Sequence, residues 1–227
     1  MAGSALGVFV RFKPNRPRLS ACAFAPFERN GMSTSVYSPH ILEETNLGIQ
    51  RFDIRDEMLA ARELELFVPV DAESVACIIR GMLHLQKADP TAPITLFINS
   101  PGGEVSSGLA LYDTMQAVSC PIRTVCLGLA ASMAALLFIA GDTRDMLPHS
   151  RVMVHDPLIG GGVGGSALSV KARADDLMRI RDMTAQVIAH HSGMPLEKVL
   201  EITARDTYFE ADEAVAAHLA DRVIRGL

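Results

Sequence analysis

The chain has 227 residues, 49% of them hydrophobic, with a formal net charge of −5 and no Trp. That length and apolar share can bury a sizeable core without disulfide or metal staples. The mild acidity gives no global attraction to nucleic acid or anionic lipid, and aromatic residues at 5% leave little for base stacking.

Residues 1–31 stand apart. Arg11, Lys13, Arg16, Arg18 and Arg29 face only Glu28, and the stretch has neither strand nor helix periodicity. It lacks the continuous apolar run and small-residue cleavage site of a secretory signal. It reads as a disordered or removable leader, or as an upstream extension ahead of Met32; a basic organelle-targeting peptide is the third reading.

From there the elements follow in order. Ile54–Arg62 reads as a short helix and Leu64–Val68 as a strand. Asp71 can cap a helix to about Lys87, with Val75, Ile78, Ile79, Met82 and Leu85 on one face. Ile94–Ile98 is an apolar strand, Ser100-Pro101-Gly102-Gly103 a sharp loop, and Glu104–Val118 a helix with Val105, Leu109, Tyr112, Met115 and Val118 facing inward. Pro121 opens the strand Ile122–Cys126, and Ser132–Ala140 reads as a buried helix. The uncharged run Thr124–Gly141 reaches the lower limit for a membrane span, but Gly128 and Ser132 interrupt it, and a buried strand leading into a buried helix explains it better.

Strand Arg151–His155 comes next, then the glycine-rich run Gly160–Gly165 and a long charged helix over about 169–191. Leu168, Leu177, Ile180, Met183 and Val187 form the apolar side of that helix. Pro195 opens a further helix, and a strand–helix–strand over about 207–224 closes the chain. Alternation of strands and helices predicts an α/β fold with parallel strands and right-handed crossovers, in a single domain.

No C-x-x-C pair and no H-E-x-x-H occurs, so the common zinc signatures are missing and no metal is expected. Of the four cysteines, Cys77, Cys120 and Cys126 lie in apolar runs and read as small core residues in a reducing, cytoplasmic compartment. Neither glycine-rich stretch continues into the G-K-[ST] of a phosphate loop, so no nucleotide or other cofactor is expected.

Ser132 stands where a strand gives way to a helix, among small neighbours that let the backbone turn sharply. A helix N-terminus there favours developing negative charge. The bland alternative is an ordinary helix cap. A serine hydroxyl needs a base, and among the seven His only His155 ends an apolar strand, where sites of α/β proteins assemble. His190 and His191 read as dipole partners at a helix C-terminus. For an orienting carboxylate, Asp206 lies between a helix and a strand and could equally cap locally. Asp156 is the poorer choice, because adjacent strand residues point to opposite faces. Gly102-Gly103 can expose backbone N–H groups to an oxyanion or a peptide.

Several motifs now stand in one order: Ile98-Asn99-Ser100-Pro101-Gly102-Gly103, Tyr112-Asp113-Thr114-Met115, Ala130-Ala131-Ser132-Met133, Ser150-Arg151-Val152-Met153-Val154-His155, Ala204-Arg205-Asp206 and Glu213-Ala214-Val215. From about Tyr37 to Ile224 the chain resembles the proteolytic subunit of the Clp protease. The resemblance implies a crotonase-like spiral of strand–helix units with a protruding handle helix at about 169–191. It makes 32–52 an axial-loop-like segment and 53–227 the peptidase domain. It implies a serine endopeptidase with the triad Ser132, His155 and Asp206, oxyanion donors at the amides of Gly103 and Met133, and peptide binding at Gly102, Gly160, Gly161 and Gly162. Arg205 would lie at a ring–ring contact. The implied assembly is two stacked heptameric rings, alone or mixed with a paralogue, fed unfolded chains by an ATP-driven AAA+ unfoldase. Nucleic acid and membrane are not implied partners.

The chain departs from the family pattern at Leu129, where a polar residue is usual, and at Thr95 and Ala117, where aromatic rings commonly line the unfoldase-docking pocket; Phe97 matches. Altered docking, or docking supplied by a paralogous ring, is the corresponding expectation. Two other classes compete with the peptidase: a catalytically silent ring subunit, which typically lacks triad members, and an acyl-CoA enzyme on the same fold, which needs no Ser–His pair.

Overall fold

The chain divides between Ala61 and Arg62 into two units. The computed structural model describes residues 19–25, 38–45, 48–160 and 164–227. In the first unit Leu19–Ala25 (β1), Ser38–Thr45 (β2) and Gly48–Asp53 (β3) form an antiparallel sheet in that order, followed by the helix Ile54–Ala60 (α1). Asp53 caps α1, its carboxylate accepting from the amide of Arg55 at 2.9 Å. Strand β1 falls inside the stretch read as a leader without periodicity. The segment carries no charge, and its ladder comes from β2, a distant partner that local pattern does not reveal. Residues 1–18 and 26–31, the rest of that leader, lie outside the described residues. Helix α1 packs on β2 and β3, within the first unit.

The second unit is built on a sheet whose strands are Glu63–Leu66 (β4), Ile94–Ser100 (β5), Ile122–Ala131 (β6), Thr143–Met146 (β7), Arg151–Val154 (β8), Thr207–Glu210 (β9) and Arg222–Val223 (β10). The order β10-β7-β6-β5-β4 is parallel throughout, as the alternation predicts, while β8 pairs parallel with the far end of β6 and antiparallel with β9. Between them run the helices Ala72–Ala88 (α2), Val105–Ala117 (α3), Met133–Ile139 (α4), Ala167–Ser192 (α5), Leu196–Thr203 (α6) and Ala211–Ala216 (α7).

Asp71 caps α2 through the amides of Glu73 and Ser74 at 2.9 and 2.8 Å, and the helix buries Val75, Ile78, Met82 and Leu85. Cys77 falls opposite that stripe and is exposed, unlike the buried Cys120 and Cys126; the expectation of three core thiols fails at this one. Helix α3 buries Gly108, Leu111 and Met115, with Leu109 and Tyr112 only half-buried, so its inward stripe is rotated from the one read off the sequence. Gly108 is the reason, because a Cβ there would overlap the Met133 side chain, and this close approach turns the helix toward α4. Every residue of α4 is buried, against β5, β6, β8, α3 and α5. A helix apolar all round belongs in a core. No helix among the described residues is long and apolar enough to cross a membrane.

Strand β6 runs past the point where Gly128 suggests a break. Between Ile98↔Cys126 and Ser100↔Ala130 the register with β5 shifts, which bulges β6. Asn99 Oδ1 accepts from the amide of Leu129 at 3.1 Å, and a Cβ on Gly128 would sit 2.7 Å from that oxygen. The bulge divides β6: Arg123–Cys126 pairs with β7 and Leu129–Ala131 with β8. Strand β7, Thr-Arg-Asp-Met, has no apolar pattern and escapes sequence reading. Its Asp145 is fully buried and receives Arg123 from β6 at 2.7 Å and Arg222 from β10 at 2.6 Å, so one carboxylate ties three neighbouring strands. Burial alone would raise the Asp145 carboxyl, but the two guanidiniums outweigh it and hold it below the usual carboxylate value. A depressed carboxyl adds stability that is complete above its unfolded value, about 3.9, and is lost as pH falls through the folded one. Asp145→Asn is therefore expected to lower stability by about 2 kcal/mol at neutral pH. Thermal unfolding followed between pH 7 and 3 should show the gap between wild type and variant closing at the acid end.

Helix α5 begins at Ser166, whose hydroxyl caps it, and ends on the left-handed Gly193 (φ 70°). Only its C-terminal part is buried, at Ala185, Ile188 and Ser192; Leu168 and Met183 are exposed and Leu177, Ile180 and Val187 half-buried. The apolar side expected for the whole length is therefore covered mainly where α4 and α6 stand. Burial lowers the pKa of His191 first, then the neighbouring His190 and Arg144, and its ring sits 3.2 Å from the Tyr112 hydroxyl.

Candidate active site

Strand β6 delivers Ser132 at the end of its second half, where the chain turns directly into α4. Ser132 has φ 55° and ψ −123°, a strained conformation for a residue with a Cβ. Its amide donates to the Met153 carbonyl of β8 at 2.8 Å, which fixes the turn against the neighbouring strand. It occupies the cap position of α4 yet makes no capping bond with its side chain, so the hydroxyl is not spent on the helix. Instead Ser132 Oγ lies 2.7 Å from His155 Nε2.

His155 follows the last residue of β8 and is largely buried, with 13% of its side chain exposed. Its other ring nitrogen, Nδ1, lies 3.5 Å from Asp206 Oδ1, in the turn between α6 and β9. At 3.5 Å, with Asp206 62% exposed, this contact is open and not a tight hydrogen bond. The antiparallel ladder explains the meeting: Val154 pairs with Thr207, and one step beyond that rung brings His155 opposite Asp206. Asp156 points elsewhere, accepting from Arg181 Nε of α5 at 2.6 Å. The three side chains singled out in the sequence, separated by up to 74 positions (206 − 132), thus form one line.

Gly102 and Gly103 pass beside this line. Val70 donates to the Gly102 carbonyl at 2.9 Å and accepts from the Glu104 amide at 2.8 Å, forming an isolated parallel bridge with Gly103. Such a bridge uses the groups flanking Gly103 and turns the Gly103 N–H to the opposite side. Gly102 (φ 86°) lies so close to the Ser132 turn that a Cβ would stand 2.5 Å from the Ala131 carbonyl oxygen, 2.7 Å from Ser132 Cβ and 2.9 Å from the Met133 amide nitrogen. Met133 is the first residue of α4, and the first-turn amides of a helix have no partner within it. A cleft opens at Ser132 and His155, walled by Val105, Met133, Leu136 and Ile188.

Of the other residues named from the sequence, Gly160 is exposed, with open space where a side chain would stand. Gly161 and Gly162 lie outside the described residues. Arg205 is exposed in the turn before Asp206. Among the described residues no group of three His, Cys, Asp or Glu side chains could hold a metal ion. Sequence reasoning missed the part played by Asn99 and the Asp156–Arg181 pair; only the Asn99-Ser100-Pro101-Gly102-Gly103 motif hinted at the first.

The family model for Clp protease matches residues 46–226, nearly the whole chain after its basic N-terminal stretch. The chain belongs to the Clp protease family, and its chemistry is that of a peptidase.

Proposed function

We propose that the protein is a serine endopeptidase subunit with Ser132 as nucleophile, His155 as general base and Asp206 as the group that orients it. The observation that carries this reading is the 2.7 Å approach of Ser132 Oγ to His155 Nε2 at a strained turn whose hydroxyl caps nothing. For Nε2 to accept the hydroxyl proton, Nδ1 must carry the other one, and Asp206 stands on that side. As Oγ attacks the scissile carbonyl, His155 takes its proton, and the oxyanion accepts hydrogen bonds from the amides of Gly103 and Met133. His155 then protonates the leaving amine, and water, activated by the same imidazole, releases the acyl group from Ser132. Gly102 and the Gly160–Gly162 segment would take the substrate backbone. The apolar walls of the cleft suit an uncharged side chain beside the cleaved bond.

The same reading gives the fold a crotonase-like arrangement with α5 as the handle of a barrel of two stacked heptameric rings. An ATP-driven unfoldase would feed the barrel, and this chain would bind no nucleotide. The exposure of Asp206 and Arg205 fits a site completed when rings meet, with Arg205 at the contact and the 3.5 Å gap closing there. Free, in part buried thiols fit a cytoplasmic location. A fluorophosphonate probe applied to size-fractionated protein tests the proposal. Its adduct is expected on Ser132, confined to the large species, and lost in Ser132→Ala but kept in Ser20→Ala. Labelling that persists without Ser132 would defeat it; labelling of a monomer would defeat the assembly-dependent part.

A further inference from the structure

Beyond the rung Val154↔Thr207, where the β8–β9 ladder ends, the two chains are held together by one more bond: the Asp156 amide donates to the Thr203 carbonyl at 2.6 Å. His155 and Asp206 lie between that rung and that bond, so the separation of base and carboxylate depends on where Asp156 is held. Its carboxylate is pinned from a third direction by Arg181 of α5, Nε to Oδ2 at 2.6 Å, with Arg181 itself half-buried. The second carboxylate oxygen, Oδ1, is buried and has no hydrogen-bond partner among the described residues, so among them the Arg181 bond to Oδ2 is the one hydrogen bond this carboxylate makes. Thr203, on the other side of the tie, is the last residue of α6 and almost fully buried, which makes that anchor rigid.

We infer that Arg181 is a positioning residue for the proposed peptidase site: through Asp156 it sets the spacing of His155 and Asp206, and so couples α5 to the alignment of the proton-transfer line. The inference rests on the reading of Ser132 as nucleophile. A partly exposed ion pair adds little to stability, so its loss should register in rate before it registers in folding. Misplacement of a catalytic group by a fraction of an ångström to an ångström costs about ten- to a hundredfold in rate.

The test is the rate of fluorophosphonate labelling, and the kcat and KM for a short fluorogenic peptide, on full-length protein in fractions of wild-type size. Arg181→Ala is expected to label about tenfold more slowly and to lose kcat by a similar factor with KM little changed. Arg181→Lys should restore most of the rate. Asp156→Ala should match Arg181→Ala, and the double variant should be no slower than either single one. If Arg181→Ala fails to fold, Asp156→Ala and Arg181→Lys carry the test. Variants that label at the wild-type rate, effects that add in the double variant, or a lysine no better than alanine would each overturn the inference. Absence of any label on Ser132 in the wild type would instead defeat the nucleophile reading.

Discussion

Replacing Ser132 by alanine is expected to lower peptide hydrolysis by about 10⁴-fold or more while leaving the thermal unfolding temperature nearly unchanged. The two halves of that expectation come from the same observation. Ser132 Oγ makes its close contact with His155 and no capping bond with α4, so its removal deletes the proposed nucleophile without opening a helix end. The amide of Ser132, which ties the turn to Met153, is untouched by the substitution, and alanine is strained at φ 55° no more than serine is. Any residual rate would come from the polarising amides and from binding alone. Initial rates with a short fluorogenic peptide, measured beside a melting curve, check both halves. Hydrolysis that survives in a well-folded variant would remove Ser132 from the mechanism.

A second substitution with a large expected effect, Gly102→Ala, replaces none of the three side chains of the proposed triad. A methyl group there cannot fit, since backbone atoms at 2.5 and 2.9 Å and the Ser132 Cβ at 2.7 Å already occupy its place. The left-handed φ of 86° adds strain for any residue with a Cβ. The Gly102–Gly103 segment must therefore move away from Ser132 and Met133, and the Gly103 amide moves with it. Misaiming one oxyanion donor typically costs about 10²–10³-fold in kcat. Gly102→Ala is accordingly expected to keep the Ser132–His155 contact but to lose kcat by roughly that factor, with KM affected less. A kcat near wild type would mean that the glycine segment serves only to pass the chain through a narrow gap.

Local pattern read best where one element satisfies itself. The Asp71 cap, the stripe of α2 apart from the half-buried Ile79, and the buried α4 are each written in a few adjacent residues. Reading failed where a partner elsewhere decides. Strand β7 is polar in sequence because its Asp145 is buried against Arg123 and Arg222, which neutralise it from two other strands. Strand β6 continues through Gly128 because Asn99 of β5 holds the bulge. The stripe of α3 turns because Gly108 meets Met133, while on α5 Leu168 lies in the part that buries no residue and Met183 faces away from Ala185 and Ile188.

The candidate site divides in the same way. Its residue types and their order along the chain, serine at a strand–helix junction, histidine at a strand end and paired glycines before a helix, were present in the one-dimensional pattern, and with them the family. Which carboxylate faces the histidine was legible in part: strand alternation disfavours Asp156, but that Asp206 stands opposite His155 follows from β9 running antiparallel to β8, and Arg181 draws Asp156 away. Side-chain direction past the end of a ladder is set by the last rung and by distant charges. A sequence can announce the chemical groups; their convergence is a property of the packed sheet.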